Sequence, residues 1–553
     1  MSAPATARPI PAPENFPFEW SDPSLEALFW TWDQMHNPHP LTPLTFTLES
    51  RCFCEGSTRG FQAVKMPVQF HAIALNGYNY GHMEFLEPAD AFPPAWWPNV
   101  EQEFMARLPG LTQTWENEYL PEVQAFNREL RDTGYAALST DDLLAFFAQA
   151  RDKRIRMWDL HMQAVIPIMG AASRFAETCA ELLGAASKNE GYLMLQGFEN
   201  LTVESGKALW RLSRAALARP ALAKLIAETP VEELASAIRA SDPSFWGEVQ
   251  RYLDQYGWRS DAFELADPAW AEEPRVPLTQ LREMLHAPDD ADPARTEEHS
   301  RKEREELVRD ARERLEGNPG KPIFELMLPI AQQYLPIQEN HNFYIDQMNT
   351  VLLRKPALAI GERLAAANAI AQRDDVFYLT YEELPEAAHK PASRDWAALV
   401  EERRADRERW SAVVPPRELG TPPPEGMRNN PISGAFFGEP VEQSKDPKVI
   451  NGIGASAGTV TGTARIVPSL DQADKLQQGD ILVCQMTMPA WTPLFASVSA
   501  VVADSGGILS HCAIVAREYR IPCVVGTQIG TQVLKDGQRI TVDGAQGIVR
   551  IEG

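Results

Sequence analysis

Cysteine is scarce in this chain: six in 553 residues. That is too few for a disulfide scaffold. Only Cys52 and Cys54 lie close together, and no second pair accompanies them, so "CFC" reads as structural thiols rather than a metal site. Long apolar runs are also missing. No stretch of about 18 apolar residues occurs, which excludes a hydropathic membrane span. Basic residues are outnumbered, 52 Lys and Arg against 76 Asp and Glu, for a net charge of −24. Such a surface repels a polyphosphate backbone, so nucleic acid is not an expected partner. The start, "MSAPATARPIPAPENFPFEW", lacks the basic and apolar blocks of a secretion signal and reads as a Pro/Ala-rich leader over 1–14. Together these features predict a reducing, cytoplasmic setting with no membrane partner.

What is present divides the chain. Residues 15–110 are mixed. "TLESRCFCEGSTRGFQAVKM" and "FHAIALNGYNYGHMEF" carry strand-forming residues and glycine turns. From about 112 to 240 the apolar period is helical. "STDDLLAFFAQARDKRIRMWDLHMQAVIP" opens at a cap-like Ser139, and "TPVEELASAIRASD" behaves likewise. Residues 297–316 are heavily charged, yet Leu307, Ala311 and Leu315 leave a thin apolar stripe. Between 413 and 448, "VVPPRELGTPPPEG" and "EPVEQSKDPK" are proline-rich; proline forbids a long helix, so this reads as a connection, with the apolar "ISGAFFG" docked within it. After 449, "DILVC", "AVVAD", "CVVG", "RITVD" and "GIVRI" are short β-branched runs suited to buried strands. "GTVTGTARIV" reads as a strand pair, and Ser469 with Gln472 as a capping box. The expected architecture is multidomain: a mainly α-helical substrate domain over 15–412 with some β structure near its N-terminus, a linker over 413–448, and a C-terminal α/β domain over 449–553.

"GGILSHCAIVAREYRIPCVVG", residues 506–526, carries the chemistry. A strand ends at Asp504, and Gly506 and Gly507 form a turn. Ser510 is placed to cap the next helix by accepting from its early amides. His511 then lies in the first helical turn, beside unpaired N–H groups that favour an anion. A neutral imidazole there can accept a phosphoryl group.

The longer stretch "MTMPAWTPLFASVSAVVADSGGILSHCAIVAREYRIPCVVGT" resembles the swivelling phosphohistidine domain of the phosphoenolpyruvate-utilising, dikinase-type phosphotransferases. The resemblance covers roughly 450–553. It implies that His511 is the phosphocarrier. Gly506, Gly507, Ser510, Arg517 and Thr487 would support it and bind phosphate, with Trp491-Thr492-Pro493 in the neighbouring loop. Leu509 stands where some members have a regulatory threonine, so control by phosphorylation there is not expected. No Gly-rich nucleotide loop precedes residue 440, and no barrel follows the histidine segment. A separate ATP-grasp subunit that binds ATP and Mg²⁺ is therefore the expected partner.

Residues 245–385 resemble, more weakly, the helical acceptor domain of rifampin phosphotransferase and of phenylphosphate synthase. "YLDQYGWRSDAFELADPAW", "PIQENHNFYIDQMN" and "DDVFYLTYEEL" carry that likeness. Gln338 and Asn342 stand where rifampin-type members have arginine and lysine. Read as residues, "QENHNFYID" places Glu339, His341, Asn342 and Asp346 within about two turns, with Gln338, Asn342, Tyr344 and Asp346 as the expected substrate-binding residues. His341 with Glu339 or Asp346 forms an acceptor-side base, or the set is an ordinary polar helix face. Arg259 is a phosphoryl clamp or an ion-pair partner of Asp261 or Glu264. The cluster Phe29, Trp30, Trp32, His36 and His39 lines an aromatic pocket or belongs to a core. The resemblance implies a subunit of a two-component kinase that phosphorylates a small phenolic compound through His511. The alternatives are a rifampin-type antibiotic phosphotransferase component, a non-catalytic phosphocarrier and a degenerate structural protein.

Overall fold

The computed structural model describes residues 8–34, 36–88, 93–184, 187–260, 263–423, 441–487 and 489–552. The chain forms two compact units. The first gathers residues 1–167, 262–268 and 344–430; the second gathers 168–261, 269–343 and 431–553. Most of the chain is helical, and the larger sheet lies toward the C-terminus. Among the described residues no helix is long and apolar enough to cross a membrane.

In the first unit, β1 (Phe29–Trp32), β2 (Val68–Leu75), β3 (Tyr78–Phe85) and β4 (Glu418–Gly420) form an antiparallel sheet in the order β2-β3-β1-β4. The β2–β3 hairpin turns at Asn76 and Gly77, both with positive φ (51° and 81°), as a tight hairpin with an Asn-Gly turn requires. One face of the sheet buries Phe16, Trp30, Trp32, Tyr78, Tyr80 and Leu419. Trp30 and Trp32 are thus core residues, whereas Asp33, His36, Asn37 and Thr45 from the same stretch line a small cleft with Phe53, Trp158 and Phe263. The Tyr78 hydroxyl donates to Val413 O (2.7 Å) and the Tyr80 hydroxyl to Pro416 O (2.7 Å). Residues 413–420, expected to be connecting chain, are therefore fixed to this sheet. "ISGAFFG", in the middle of the expected linker, lies outside the described residues.

The strand-like reading of residues 47–66 is overturned. They continue a helical run, Phe46–Ser50 and then Arg51–Ala63. The glycines there serve helix packing rather than turns. A Cβ on Gly56 would lie 2.3 Å from Ile155 O and 2.5 Å from Trp158 Cβ; one on Gly60 would lie 2.5 Å from Met162 Cβ. Gly56→Ala is expected to destabilise the fold by about 1–3 kcal/mol, the usual cost of overpacking, measured as a lowered denaturation midpoint. The same helix keeps Cys52 buried and Cys54 half-buried. Burial pushes the Cys54 thiol up to about 12 and Cys52 well above its ordinary range, which suits packing rather than reactivity.

Helix Thr140–Leu183, with Pro167 inside it, runs from the first unit's sequence into the second's. Its start fits the sequence: the Ser139 hydroxyl accepts from Asp142 N (3.0 Å) and donates to Asp142 Oδ2 (2.6 Å). Further helices of the second unit include Leu201–Leu217, Val231–Ser241, Pro243–Tyr256, Pro293–Arg314 and Tyr334–His341. Along the charged helix Pro293–Arg314 the thin stripe is covered in part: Leu307 is half-buried, and Ala311 and the C-cap residue Leu315 are almost wholly covered.

The same unit holds an eight-stranded sheet of β5 (Val449–Asn451), β6 (Ile453–Ser456), β7 (Thr459–Ile466), β8 (Ile481–Cys484), β9 (Ala500–Ala503), β10 (Cys523–Val525), β11 (Arg539–Asp543) and β12 (Ile548–Ile551). Its order is β5-β12-β11-β7-β8-β9-β10-β6, and the run from β7 to β10 is parallel. Every residue of β8, β9 and β10 is buried, so each reads as an unbroken apolar run. Two expectations fail here. "GTVTGTARIV" is the single strand β7, paired on both sides. Ser469 forms no capping box: Gln472 N donates to the Ser469 carbonyl (3.1 Å), which closes a short 3₁₀ turn and leaves the hydroxyl out of the cap.

Candidate active site

The turn after β9 is built for His511. Asp504 anchors it, accepting from the hydroxyls of Thr527 (2.8 Å) and Thr531. Gly506 has φ +106°, and a Cβ there would lie 2.7 Å from Ser510 Oγ; only glycine fits. Ser510 stands at the N-cap of helix His511–Glu518 but does not cap it as expected. Its hydroxyl instead donates to Gly507 O (2.8 Å), closing the glycine turn with Ser510 N to the same oxygen (3.1 Å). The hydroxyl is spent on the loop, so the first helical amides have no side-chain cap.

His511 has two differently placed nitrogens. Nδ1 lies 3.9 Å from Glu339 Oε2, a charge contact beyond hydrogen-bond range. Nε2 lies 3.3 Å from Thr492 Oγ1. Glu339, at the end of helix Tyr334–His341, is 4% exposed. Burial alone would raise its carboxyl. The His511 imidazole, the Thr202 hydroxyl (2.6 Å to Oε2) and His341 outweigh burial and hold it below its usual value. His341 is buried and its Nδ1 donates to Ile337 O (2.9 Å).

Arg259 is 2% exposed. Its guanidinium lies over the Phe343 ring at 4.9 Å and the Trp270 ring at 5.6 Å. Burial lowers its pKa, opposed by Tyr252, Glu339 and Tyr256. Its Nε has no hydrogen-bond partner among the described residues. Of the two carboxylates weighed against it, Asp261 lies outside the described residues. Glu264 accepts from the Thr42 and Thr45 hydroxyls and from Ala266 N. Gln338, beside Glu339, is buried with Oε1 unpartnered among the described residues. Asn342 is half-buried where the helix passes into the π-helical stretch Asn342–Asn349.

The remaining expected residues fall elsewhere. Tyr344 and Asp346 belong to the first unit. Tyr344 O accepts from Asn127 Nδ2 (2.9 Å), and Asp346 Oδ1 pairs with His161 Nδ1 (2.8 Å). Arg517 braces the histidine loop, donating to Ile508 O (2.8 Å) and Ala455 O (3.0 Å). Thr487 is buried, its hydroxyl unpartnered among the described residues.

Three contacts that seat the histidine helix were not legible in the sequence. The Tyr334 hydroxyl donates to Leu509 O (3.1 Å). Thr202 reaches Glu339. Gly197 N donates to Glu518 Oε1 (3.2 Å), while Arg304 holds Gln196 O and Gly197 O, both at 2.7 Å. Burial pushes Glu518 up to about 7, aided by Glu339 and Glu297 and opposed by the Gly197 amide and Arg517. A carboxyl raised in this way favours the packed state below its unpacked value near 4.5, and that contribution is lost as pH rises through about 7. Glu518→Gln is expected to raise the melting temperature at pH 8 by about 2 °C or more and to change it little at pH 5, read by thermal denaturation at both pH values.

Comparison with known proteins places these segments. Residues 160–339 match the model of the rifampicin phosphotransferase fourth domain, and residues 476–547 match the mobile domain of PEP-utilising enzymes. Glu339 closes the first match and His511 lies within the second. The two segments are thus similar to domains of PEP-utilising enzymes and of rifampicin phosphotransferase. Among individual relatives, chondramide synthase cmdD of Chondromyces crocatus is 34% identical over 98% of this chain and 14% of its own length. The uncharacterized phosphotransferase YvkC of Bacillus subtilis is 30% identical over 78% of this chain and 51% of its own length. Rifampicin phosphotransferase of Streptomyces sviceus is 29% identical over 72% of this chain and 45% of its own length. The chain spans about half or less of each of these relatives.

Proposed function

We propose that this chain is the acceptor and phosphocarrier part of a dikinase-type phosphotransferase, with Nε2 of His511 as the atom that carries phosphoryl. The observation behind this is the orientation of the ring. Nδ1 faces an ionised carboxylate, so the proton of the neutral imidazole belongs on Nδ1 and the lone pair on Nε2. In charging, Nε2 attacks the β-phosphorus of ATP, an N–P bond forms and the P–O bond to AMP breaks; water then cleaves the bond to the γ-phosphoryl, releasing inorganic phosphate and leaving the β-phosphoryl on Nε2. In discharge, the acceptor oxygen forms the new P–O bond and the N–P electron pair returns to Nε2. The acceptor hydroxyl proton passes to the acceptor-side base, assigned to His341. Arg259, buried with its Nε–H unpartnered among the described residues, is assigned to the phosphoryl oxygens.

Nucleotide and metal are assigned to a separate ATP-grasp subunit. Glu339, which faces His511, and Glu518, at the end of the histidine helix, are buried and already hydrogen-bonded to Thr202 and the Gly197 amide. That donor set does not fit a magnesium ion, which keeps several waters.

Relatives named rifampicin phosphotransferase favour an antibiotic of the rifampicin type as acceptor over the small phenol first expected. The test is reconstitution of the chain with an ATP-grasp subunit, ATP and Mg²⁺, offering rifampicin, phenol and guaiacol in parallel. Phosphohistidine at residue 511 that disappears on adding an acceptor, with AMP and an acceptor phosphate formed, supports the proposal. Phosphohistidine that persists with every acceptor would identify a carrier only, and absence of label would overturn the reading.

A further inference from the structure

Helix Leu201–Leu217 begins against the end of helix Tyr334–His341 and is stitched to it at consecutive residues. Asn200 caps the first helix, its Oδ1 accepting from Val203 N (3.0 Å). Leu201 N donates to Asn340 Oδ1 (3.0 Å), and the Thr202 hydroxyl donates to Glu339 Oε2 (2.6 Å). Thr202 is 6% exposed and Glu339 is 4% exposed. Water therefore offers the carboxylate little compensation, and the hydroxyl is its closest partner. The oxygen that Thr202 holds is also the one that faces His511 Nδ1.

We propose that Thr202 is a positioning residue for phosphoryl transfer, acting through Glu339 to fix the tautomer of His511; this rests on the phosphocarrier reading of His511. A carboxylate with two equivalent oxygens can rotate about its terminal bond. Anchoring Oε2 by one hydroxyl selects the orientation in which that oxygen faces Nδ1, at 3.9 Å. The bond also favours the ionised carboxyl, because a hydroxyl donor stabilises the charged form. Removing it loosens the orientation and raises the pH at which Glu339 takes a proton. A protonated Glu339 no longer holds the proton on Nδ1, and Nε2 loses its reserved lone pair. Threonine suits the position because its β-branch restricts the rotamer while its hydroxyl stays available.

The experiment compares Thr202→Val, of equal shape but without a hydroxyl, with Thr202→Ser, which restores the donor. Phosphoenzyme formation is followed across pH in the reconstituted system. Thr202→Val is expected to slow charging by about 10–100-fold and to move the acid limb of the profile upward by about one unit. Thr202→Ser is expected to stay within about threefold of the unmodified chain with an unshifted limb. A Thr202→Val profile superimposable on that of the unmodified chain would overturn the proposal. So would equal impairment of both variants, which would mark a packing role. Lack of phosphohistidine in the unmodified chain would instead remove the phosphocarrier reading itself.

Discussion

Alanine in place of His511 is expected to abolish the phosphoenzyme and to lower acceptor phosphate formation by at least about 10⁴-fold, as removal of a covalent nucleophile does elsewhere. The reason lies in the surroundings of the ring. Its neighbours are a carboxylate at Nδ1 and a threonine hydroxyl at Nε2. The carboxylate can orient the ring but, lowered in pKa, is a poor carrier of phosphoryl. The hydroxyl of Thr492, an alcohol, is a far weaker nucleophile at neutral pH than an imidazole. The ring is 13% exposed and its helix is anchored independently through Tyr334, Arg517 and Glu518. The variant should therefore fold. Intact-mass analysis after incubation with the donor system, together with an unchanged melting curve, checks both halves. Full product formation by a folded His511→Ala chain would remove the covalent mechanism.

Local chemistry made part of this site readable from sequence. The glycine pair, the serine and His511 lie within six residues, and Gly506 takes the positive φ that glycine permits. The short strands were readable because β8, β9 and β10 are buried on both faces and so carry no polar alternation. Residues 47–66 were misread because glycine has two uses. It permits a turn, and it permits a close approach between helices; the backbone carbonyl of Ile155 next to Gly56 decides between them. The Ser510 cap failed for a similar reason. A serine before a helix has the right position, but its hydroxyl found the Gly507 carbonyl first. Long-range pairing was invisible. Thr202 and Glu339 stand 137 positions apart, and Glu518 looks like any charged helix residue until Gly197 and Arg304 are placed beside it. "QENHNFYID" was readable as a polar cluster, yet its Glu339 and Asp346 take different partners, Thr202 in the second unit and His161 in the first.

Glu339→Gln is expected to slow phosphoryl transfer by about 10²–10⁴-fold while leaving the fold intact, by analogy with an amide that replaces the carboxylate of a catalytic triad. Glutamine keeps the shape, and its carbonyl can still accept from Thr202. That carbonyl, at the Oε2 position, still faces Nδ1, but a neutral amide oxygen attracts the Nδ1 proton more weakly than a carboxylate does. Charge is lost as well. Once Nε2 gains or releases phosphoryl, the imidazole passes through forms in which positive charge builds on the ring, and the buried carboxylate is its nearest counterion. The pH dependence gives a second readout. A carboxyl held below its usual value supports transfer above the ordinary carboxylate range and fails only as pH falls through its lowered pKa. The unmodified chain should thus keep its charging rate down to mildly acidic pH and lose it below about 4.5, in step with the ordinary range of a glutamate or lower. Glu339→Gln should be slow at every pH and lack that acid limb. Rapid-quench measurement of phosphohistidine for both chains, from acid to neutral pH, distinguishes the cases. A Glu339→Gln chain with the full rate and the same acid limb would show that His511 takes its tautomer from some other group.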